Sequence, residues 1–259
     1  MCLILLSFKS NKEFPLIIGS NRDERHERPT ADAGFWDDHP DLYAGRDLED
    51  GGTWLGITTN GRISALTNYR EPQPRRTDVR SRGTLVSDYL VGSLSGQDYL
   101  NSLAADALNY NPFNLIAGNL EELWYLSNRG SGVSPVTPGI HGLSNHLLDT
   151  PWPKVKLGCD TLNALDHCKD PDTIIDTLLN TLADQRRAPI TELPKTGVTL
   201  QLEKTLSPPF IMGDHYGTRN SMVVIVSASG EVFVHEKRFG PQARFAGETA
   251  RAFKIRSLR

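Results

Sequence analysis

The chain has 259 residues, a formal charge of -3, 23% charged and 38% hydrophobic residues, the make-up of a globular protein with enough apolar material for a sizeable core. Overall charge lends nucleic-acid binding no support. No apolar run approaches the length of a bilayer-crossing helix, and Leu3 to Phe8 is too short, and lacks the basic flank, for a signal-peptide core, so the expected location is the cytoplasm.

Cys2, Cys159 and Cys168 are an odd number without paired spacing, which argues against a disulfide framework or a structural zinc site and suits reduced thiols. No repeat or low-complexity linker divides the chain, so a single domain over 1–259 is expected.

Two apolar runs, Leu3 to Phe8 and Pro15 to Gly19, are separated by a polar turn at Ser10 to Glu13 and predict a hairpin of buried strands. The second run delivers Ser20-Asn21-Arg22-Asp23-Glu24 to its end, which a hairpin returns to the neighbourhood of Cys2. Arg25 to Asp41 follows as a polar loop broken by Pro29, Gly34 and Pro40, folded back through Phe35 and Trp36. Asn60-Gly61 between Thr53–Thr58 and Arg62–Thr67 predicts a hairpin with positive φ at both turn positions.

Asn68 to Arg82 carries Arg70, Arg75, Arg76, Arg80 and Arg82. A solvated loop is the favoured reading, with a rim facing carboxylate or phosphate groups as the alternative. Helices are predicted over Thr84–Val91 and Gln97–Leu108, with Ser95 as a cap, and over Lys154–Cys168 and Pro171–Ala183, the last starting on proline. Asn114–Ala117 and Leu123–Ser127 form a short strand pair. Val133–Leu143 is extended but interrupted by Pro135 and Pro138, Asp184–Pro208 is irregular, and Ser221–Ser227 with Glu231–Arg238 make a terminal hairpin. Strands and helices in alternating blocks imply an α+β layered fold of mostly antiparallel sheets.

Cys2 is the sharpest chemical feature. At a free N-terminus its thiol has the α-amine within reach, a base titrating at about 7.7 to 8.0, so nucleophile and base come from one residue once Met1 is removed. The plain alternative is a small apolar residue in a buried strand. Asn21 can donate to a bound carbonyl and Asp23 can accept from the Cys2 amine; a solvated strand end with an Arg22–Glu24 pair would explain the charges without placing them opposite Cys2.

Together, Met1-Cys2, Asn21-Arg22-Asp23-Glu24, Ala44-Gly45-Arg46-Asp47, Gly51-Gly52-Thr53-Trp54-Leu55-Gly56, Leu66-Thr67-Asn68-Tyr69-Arg70 and Gly142-Leu143-Ser144-Asn145 resemble the NRDE family, also called the transport and Golgi organisation 2 family. That family is similar in turn to the cysteine N-terminal nucleophile (Ntn) hydrolases, including penicillin V and bile-salt acylases. The resemblance implies a four-layer αββα sandwich. It implies catalytic roles for Cys2, Asn21, Asp23, Asn68, Asn145 and Arg219, and ligand contacts from Arg22, Glu24, Arg46, Trp54, Arg70, His141 and His146. The acylases' arginine on the second strand is here Ser20, which puts activation of the thiol at issue.

Members of the family have been linked to haem trafficking, lipid homeostasis and acyl-coenzyme A handling. The first expectation is therefore a carrier binding haem reversibly, with His146, His141 or Cys2 as axial ligand. An amidohydrolase of non-peptide C–N bonds acting through Cys2 comes second. Acyl-coenzyme A or lipid binding, with Arg22 and the arginine-rich loop meeting phosphates, comes third. The expected partner is haem or an acyl-bearing small molecule, with transient membrane or acceptor-protein contact.

Overall fold

In the computed structural model, which describes residues 2–256, strand β1 (Cys2–Phe8) pairs antiparallel with β2 (Leu16–Arg25), Cys2 lying opposite Arg22 and Phe8 opposite Leu16. β2 runs six residues past the predicted end at Gly19, so Asn21 to Glu24 lie within the strand and not beyond it. The extension has a cause: strand β11 (Tyr216–Val226) pairs with β2 as far as Tyr216 opposite Arg25 and satisfies its backbone along that length.

The remaining strands are β3 (Thr30–Phe35), β4 (Leu42–Asp47), β5 (Leu55–Thr58), β6 (Ile63–Asn68), β7 (Phe113–Gly118), β8 (Leu123–Ser127), β9 (Ser134–Val136), β10 (Gly139–Leu143), β12 (Glu231–Phe239) and β13 (Phe245–Lys254). Six strands form one sheet in the order β10-β1-β2-β11-β12-β13, and seven form another in the order β3-β4-β5-β6-β7-β8-β9. All named pairings are antiparallel.

Period-two alternation divides β1 and β2 between two cores. Ile4, Leu6 and Ile18 meet Leu55, Ile57 and Ile116 of the other sheet. Leu3, Leu5 and Ile17 meet Val155, Leu162 and Leu178 on helices α3 (Pro153–Ala164) and α4 (Pro171–Leu182). On the outer face of the seven-stranded sheet, α1 (Gly83–Val91) and α2 (Gly96–Ala104) place Leu85, Tyr89 and Leu100 against Leu66 and Leu115. The result is the expected α+β, four-layer αββα sandwich. No helix is long and apolar enough to cross a membrane among the described residues.

Local signals explain the helix starts. Ser95 accepts from the Asp98 N–H, and Asp170 accepts from Thr173 ahead of Pro171. Several boundaries differ from expectation. The polar stretch after β2 contains β3, whose backbone pairs with β4 although its side chains lack an apolar alternation. The extended stretch 133–143 is two strands, one in each sheet, divided at Thr137 and Pro138. The terminal hairpin gains β13 as a third strand, largely exposed on both faces and so without an apolar signature. Helix α5 (Leu200–Thr205) lies in the stretch expected to be irregular. The Asn60-Gly61 turn joins β5 to β6, with positive φ at Gly61 (+78°) and not at Asn60.

Gly158 shows how closely α3 lies on β1: a Cβ there would fall 2.0 Å from Leu5 Cδ2. Gly158→Ala should therefore cost about 1–3 kcal/mol of overpacking in urea denaturation. Adding Leu5→Ala should relieve part of that cost. Strict additivity of the two changes would rule out this contact as its source.

Candidate active site

The first residue of β1 stands at the edge of a small hollow of about 70 Å³ whose lining includes Cys2, Asp23, Glu24, Trp54, Asn68 and Arg82. Cys2 is 6% exposed. Its strand position fixes it: β2 on one side and the β10 end on the other hold the backbone, and Ser144 Oγ donates to the Cys2 carbonyl at 3.3 Å.

Because Cys2 is paired with Arg22, both side chains leave the sheet on the face toward the seven-stranded sheet. Arg22 is fully engaged there. Its Nη2 donates to Asp47 Oδ2 at 2.9 Å and its Nη1 to Thr30 Oγ1 at 3.0 Å, while its guanidinium lies 4.3 Å from the Trp54 ring centroid. Arg28 also donates to Asp47, to Glu49 and to Asp50. These two arginines hold the mouth of the hollow together.

Asn21 occupies the opposite face, and this changes its reading. Its Nδ2 donates to the carbonyls of Leu182 and Pro209, at 2.8 and 2.9 Å, and its Oδ1 accepts from Ser221 at 2.6 Å. Both amide hydrogens are consumed, so Asn21 fastens α4 and the 209 turn to the sheet and does not face the hollow. Asp23 does border it, with Oδ1 accepting from Thr218 Oγ1 at 2.7 Å and its carbonyl accepting from Tyr216 Oη at 3.0 Å.

Among the residues expected from distant parts of the chain, Asn68 lines the hollow. Asn145 is fully buried outside that lining, and its Nδ2 donates to the Asn68 carbonyl at 2.9 Å and so positions that residue. Arg219 is displaced by a bulge between Thr218 and Asn220. Its Nη1 donates to the carbonyls of Arg25 and Arg28 at 2.8 and 2.9 Å, which clamps the turn after β2 and leaves the thiol to other groups. Arg46 lies away from the hollow, paired with Asp38 and stacked on Trp36. Arg70 is buried in an ion pair with Glu203. Ser20, where an arginine was at issue, is buried in β2 opposite Ile4 and Met222.

Two features of the site escaped the sequence reading. Of the five arginines assigned to a solvated loop, Arg75 and Arg82 line the hollow, while Arg76 and Arg80 pair on the surface with Asp78 and Asp106. The placement of Arg82 depends on Gly52, whose Cα meets the start of α1 so closely that a Cβ would fall 2.3 Å from the Gly83 carbonyl carbon. The second feature is Lys154 of α3, 2% exposed, whose Nζ donates to the Leu206 carbonyl at 3.2 Å.

A second, larger hollow of about 550 Å³ shares Glu24, Asn68, Arg75 and Arg82 with the first. Its far wall is Leu202, Leu206, Ile211 and Met212, supplied by the stretch expected to be irregular. One cleft therefore runs from a charged inner end at Cys2 to an apolar outer end.

Burial dominates the electrostatics. It pushes the Cys2 thiol up, and the Asp23 charge adds to this. It pushes the Asp23 carboxyl up as well, against Lys154, the Thr218 hydroxyl and Arg70. Lys154 is pulled down to about 8 by burial, although Asp23 favours its charged form. Glu24 behaves oppositely: burial is outweighed by the Arg25 N–H and by Arg22 and Arg28, which hold it below the usual carboxylate range.

An axial haem ligand needs a donor lone pair aimed into the pocket. His141 is opposite Leu6, with Nδ1 on Asp149 at 2.7 Å and Nε2 on the Thr137 carbonyl at 2.8 Å. His146 bonds Thr150 through Nδ1 and packs between Tyr69 and Trp152. Neither lines the cleft. Cys2 does, but burial favours its protonated form. These residues do not fit an axially ligated haem beside Cys2.

Solved structures and curated relatives agree on the frame. The fold is similar to that of a Caenorhabditis elegans N-acylethanolamine-hydrolyzing acid amidase orthologue, with a TM-score of 0.51 and 12% identity over 87% of this chain and 92% of that one. It is similar also to the Cys2→Ala form of a conjugated bile acid hydrolase from Clostridium perfringens, with a TM-score of 0.50 and 8% identity over 98% and 92%. In sequence, the chain is 34% identical to the transport and Golgi organization protein 2 homologue of Bos taurus over 99% of this chain and all of that one. It is 35% identical to the Homo sapiens homologue over 92% of each. The family model described as "Transport and Golgi organisation 2" matches residues 1–241, and the chain belongs to that family.

Proposed function

We propose that this protein is a hydrolase of non-peptide C–N bonds that uses Cys2 as nucleophile on a small acyl amide. The observation that carries this reading is the buried thiol at one end of a cleft, beside Asp23 and Asn68, with an apolar hollow that shares its lining. A buried, protonated thiol needs a base at hand, and removal of Met1 makes the Cys2 α-amine that base.

The Sγ proton passes to the α-amine as sulfur attacks the carbonyl carbon, forming a C–S bond and an oxyanion that the Asn68 side chain can meet. Collapse breaks the C–N bond, and the departing amine takes the proton from the α-ammonium. Water then attacks the thioester and gives a proton to the α-amine; the C–S bond breaks, the acid leaves, and the sulfur recovers its proton from the α-ammonium. Asp23, held by Thr218 and Tyr216, fixes the charge environment in which the amine works. The acyl chain lies in the hollow walled by Leu206, Ile211 and Met212.

Haem carriage, the first expectation, has less support in this geometry, since the expected histidine ligands point elsewhere. Binding of an acyl-coenzyme A or another acyl lipid uses the same apolar hollow with Arg75 and Arg82 at its rim, and differs from hydrolysis in leaving the ligand intact.

Intact mass should show loss of Met1, and Cys2→Ala should lower turnover of an acyl-amide panel by about 10³-fold or more. Full activity in protein that keeps Met1 would remove the α-amine from the mechanism. Met212→Ser, at a position 50% exposed and so tolerant of change, should lower kcat/KM for long-chain relative to short-chain amides by about tenfold. An unchanged chain-length preference would place the acyl chain elsewhere.

A further inference from the structure

We propose that Arg82 is the cation that stabilises the Cys2 thiolate, reaching it across the hollow from the start of α1. The proposal rests on Cys2 being the nucleophile, and it follows from an inventory of the charges around that residue.

A thiolate at Cys2 would meet mostly negative neighbours. β2 contributes Asp23 and Glu24, and the turn after β4 contributes Asp47 and Asp50, all bordering the same hollow. Tyr216 on β11 supplies a phenol that burial and the Asp23 charge keep protonated. The ends of β6 and β10 bring the uncharged Asn68, Ser144 and Asn145.

Besides the Cys2 α-amine, which carries charge only while it holds the thiol proton in the proposed mechanism, most nearby cations are already committed. Arg22 is bound to Asp47 and Thr30 and stacked on Trp54. Arg28 is divided among Asp47, Glu49 and Asp50. Arg70 is paired with Glu203, and Lys154 reaches from α3 to the Leu206 carbonyl. Arg75 sits exposed at the rim.

Arg82 differs from all of these. It makes no ion pair within 4.0 Å among the described residues, yet it lines both hollows. One guanidinium nitrogen is anchored, Nη1 donating to the Pro112 carbonyl at 2.8 Å. Its backbone is equally fixed, because the Thr53 N–H donates to the Gly83 carbonyl at 3.2 Å and the bare Cα of Gly52 abuts that peptide. Burial and the neighbouring Arg75 charge pull its pKa down to about 10, which leaves it charged at neutral pH, and the Cys2 and Glu24 charges favour that form. A fixed, partly desolvated cation with no carboxylate of its own is an electrostatic complement to a transient anion.

The test is the pH profile of Cys2 alkylation by iodoacetamide, followed by intact mass in a Cys159→Ser/Cys168→Ser background. A nearby cation favours thiolate over thiol, so its removal must raise the thiol pKa. Arg82→Ala and Arg82→Gln should move the profile to higher pH and slow alkylation at pH 7 by about tenfold, and Arg82→Lys should restore most of the rate. The glutamine variant retains a donor for Pro112 and so covers the case in which alanine fails to fold. A folded glutamine variant with an unmoved profile, or a lysine variant no better than glutamine, would overturn the proposal. Alkylation needs no substrate: a shifted profile without amide turnover would remove the hydrolase reading and leave Arg82 facing the thiolate, whereas turnover with an unmoved profile would do the reverse.

Discussion

The ion pair between Arg22 and Asp47 is the constraint on which the site depends. It joins the middle of the six-stranded sheet to the end of β4 in the seven-stranded sheet, with side chains only 5% and 12% exposed. Two charges taken from water need close geometry and further hydrogen bonds to compensate their desolvation, and here Thr30, Arg28, the backbone N–H groups of Glu49 and Asp50, and the Trp54 ring provide them. Removing one partner from such a pair typically costs about 3–5 kcal/mol, because the other charge stays buried alone. The pair therefore gives up catalytic freedom for Arg22 and gains a fixed distance between the sheets at the mouth of the cleft.

Much of this was legible in the sequence. The buried hairpin, the helix starts at Ser95 and Pro171 and the layered α+β order all rest on local signals, namely apolar runs, caps and turn residues, and these act over a few residues. The limits have equally physical causes. β13 left no pattern because neither of its faces is buried well enough to demand apolar residues. β3 is held by backbone pairing with β4, to which side-chain alternation contributes little. For α5 the run of six residues is too short for helical periodicity to register, although Thr199 caps it by accepting from Leu202.

The site shows the same division more sharply. Cys2, Asp23, Glu24 and Asn68 were identified and do meet. Asn21 was identified as a donor to a bound carbonyl, but it is one step along β2 from Arg22, the partner of Cys2, so it leaves the sheet on the other face, and its amide is consumed by Leu182 and Pro209. Arg219 was matched by its place in the chain, and a one-residue bulge turns it to the carbonyls of Arg25 and Arg28. Arg82 was visible only as one of five arginines. What separates it from Arg76 and Arg80 is a tertiary contact, the approach of Gly52 to Gly83, for which no local spacing codes.

Burial at Cys2 sets two requirements against each other. A nucleophile in a water-poor site is protected from side reactions and meets stronger fields, but the same burial holds its proton on. The chain deals with this by separating its cations according to task. Arg22 and Arg28 neutralise the carboxylates that shape the mouth, Arg70 is paired with Glu203, Lys154 and Asp23 favour each other's charged forms, and Arg82 is left facing the hollow. With Ser20 buried opposite Ile4, a cation for the thiolate cannot come from that strand position without breaking the inter-sheet core. A guanidinium entering from the other sheet, on a helix start locked by Gly52, supplies the charge and leaves the core intact.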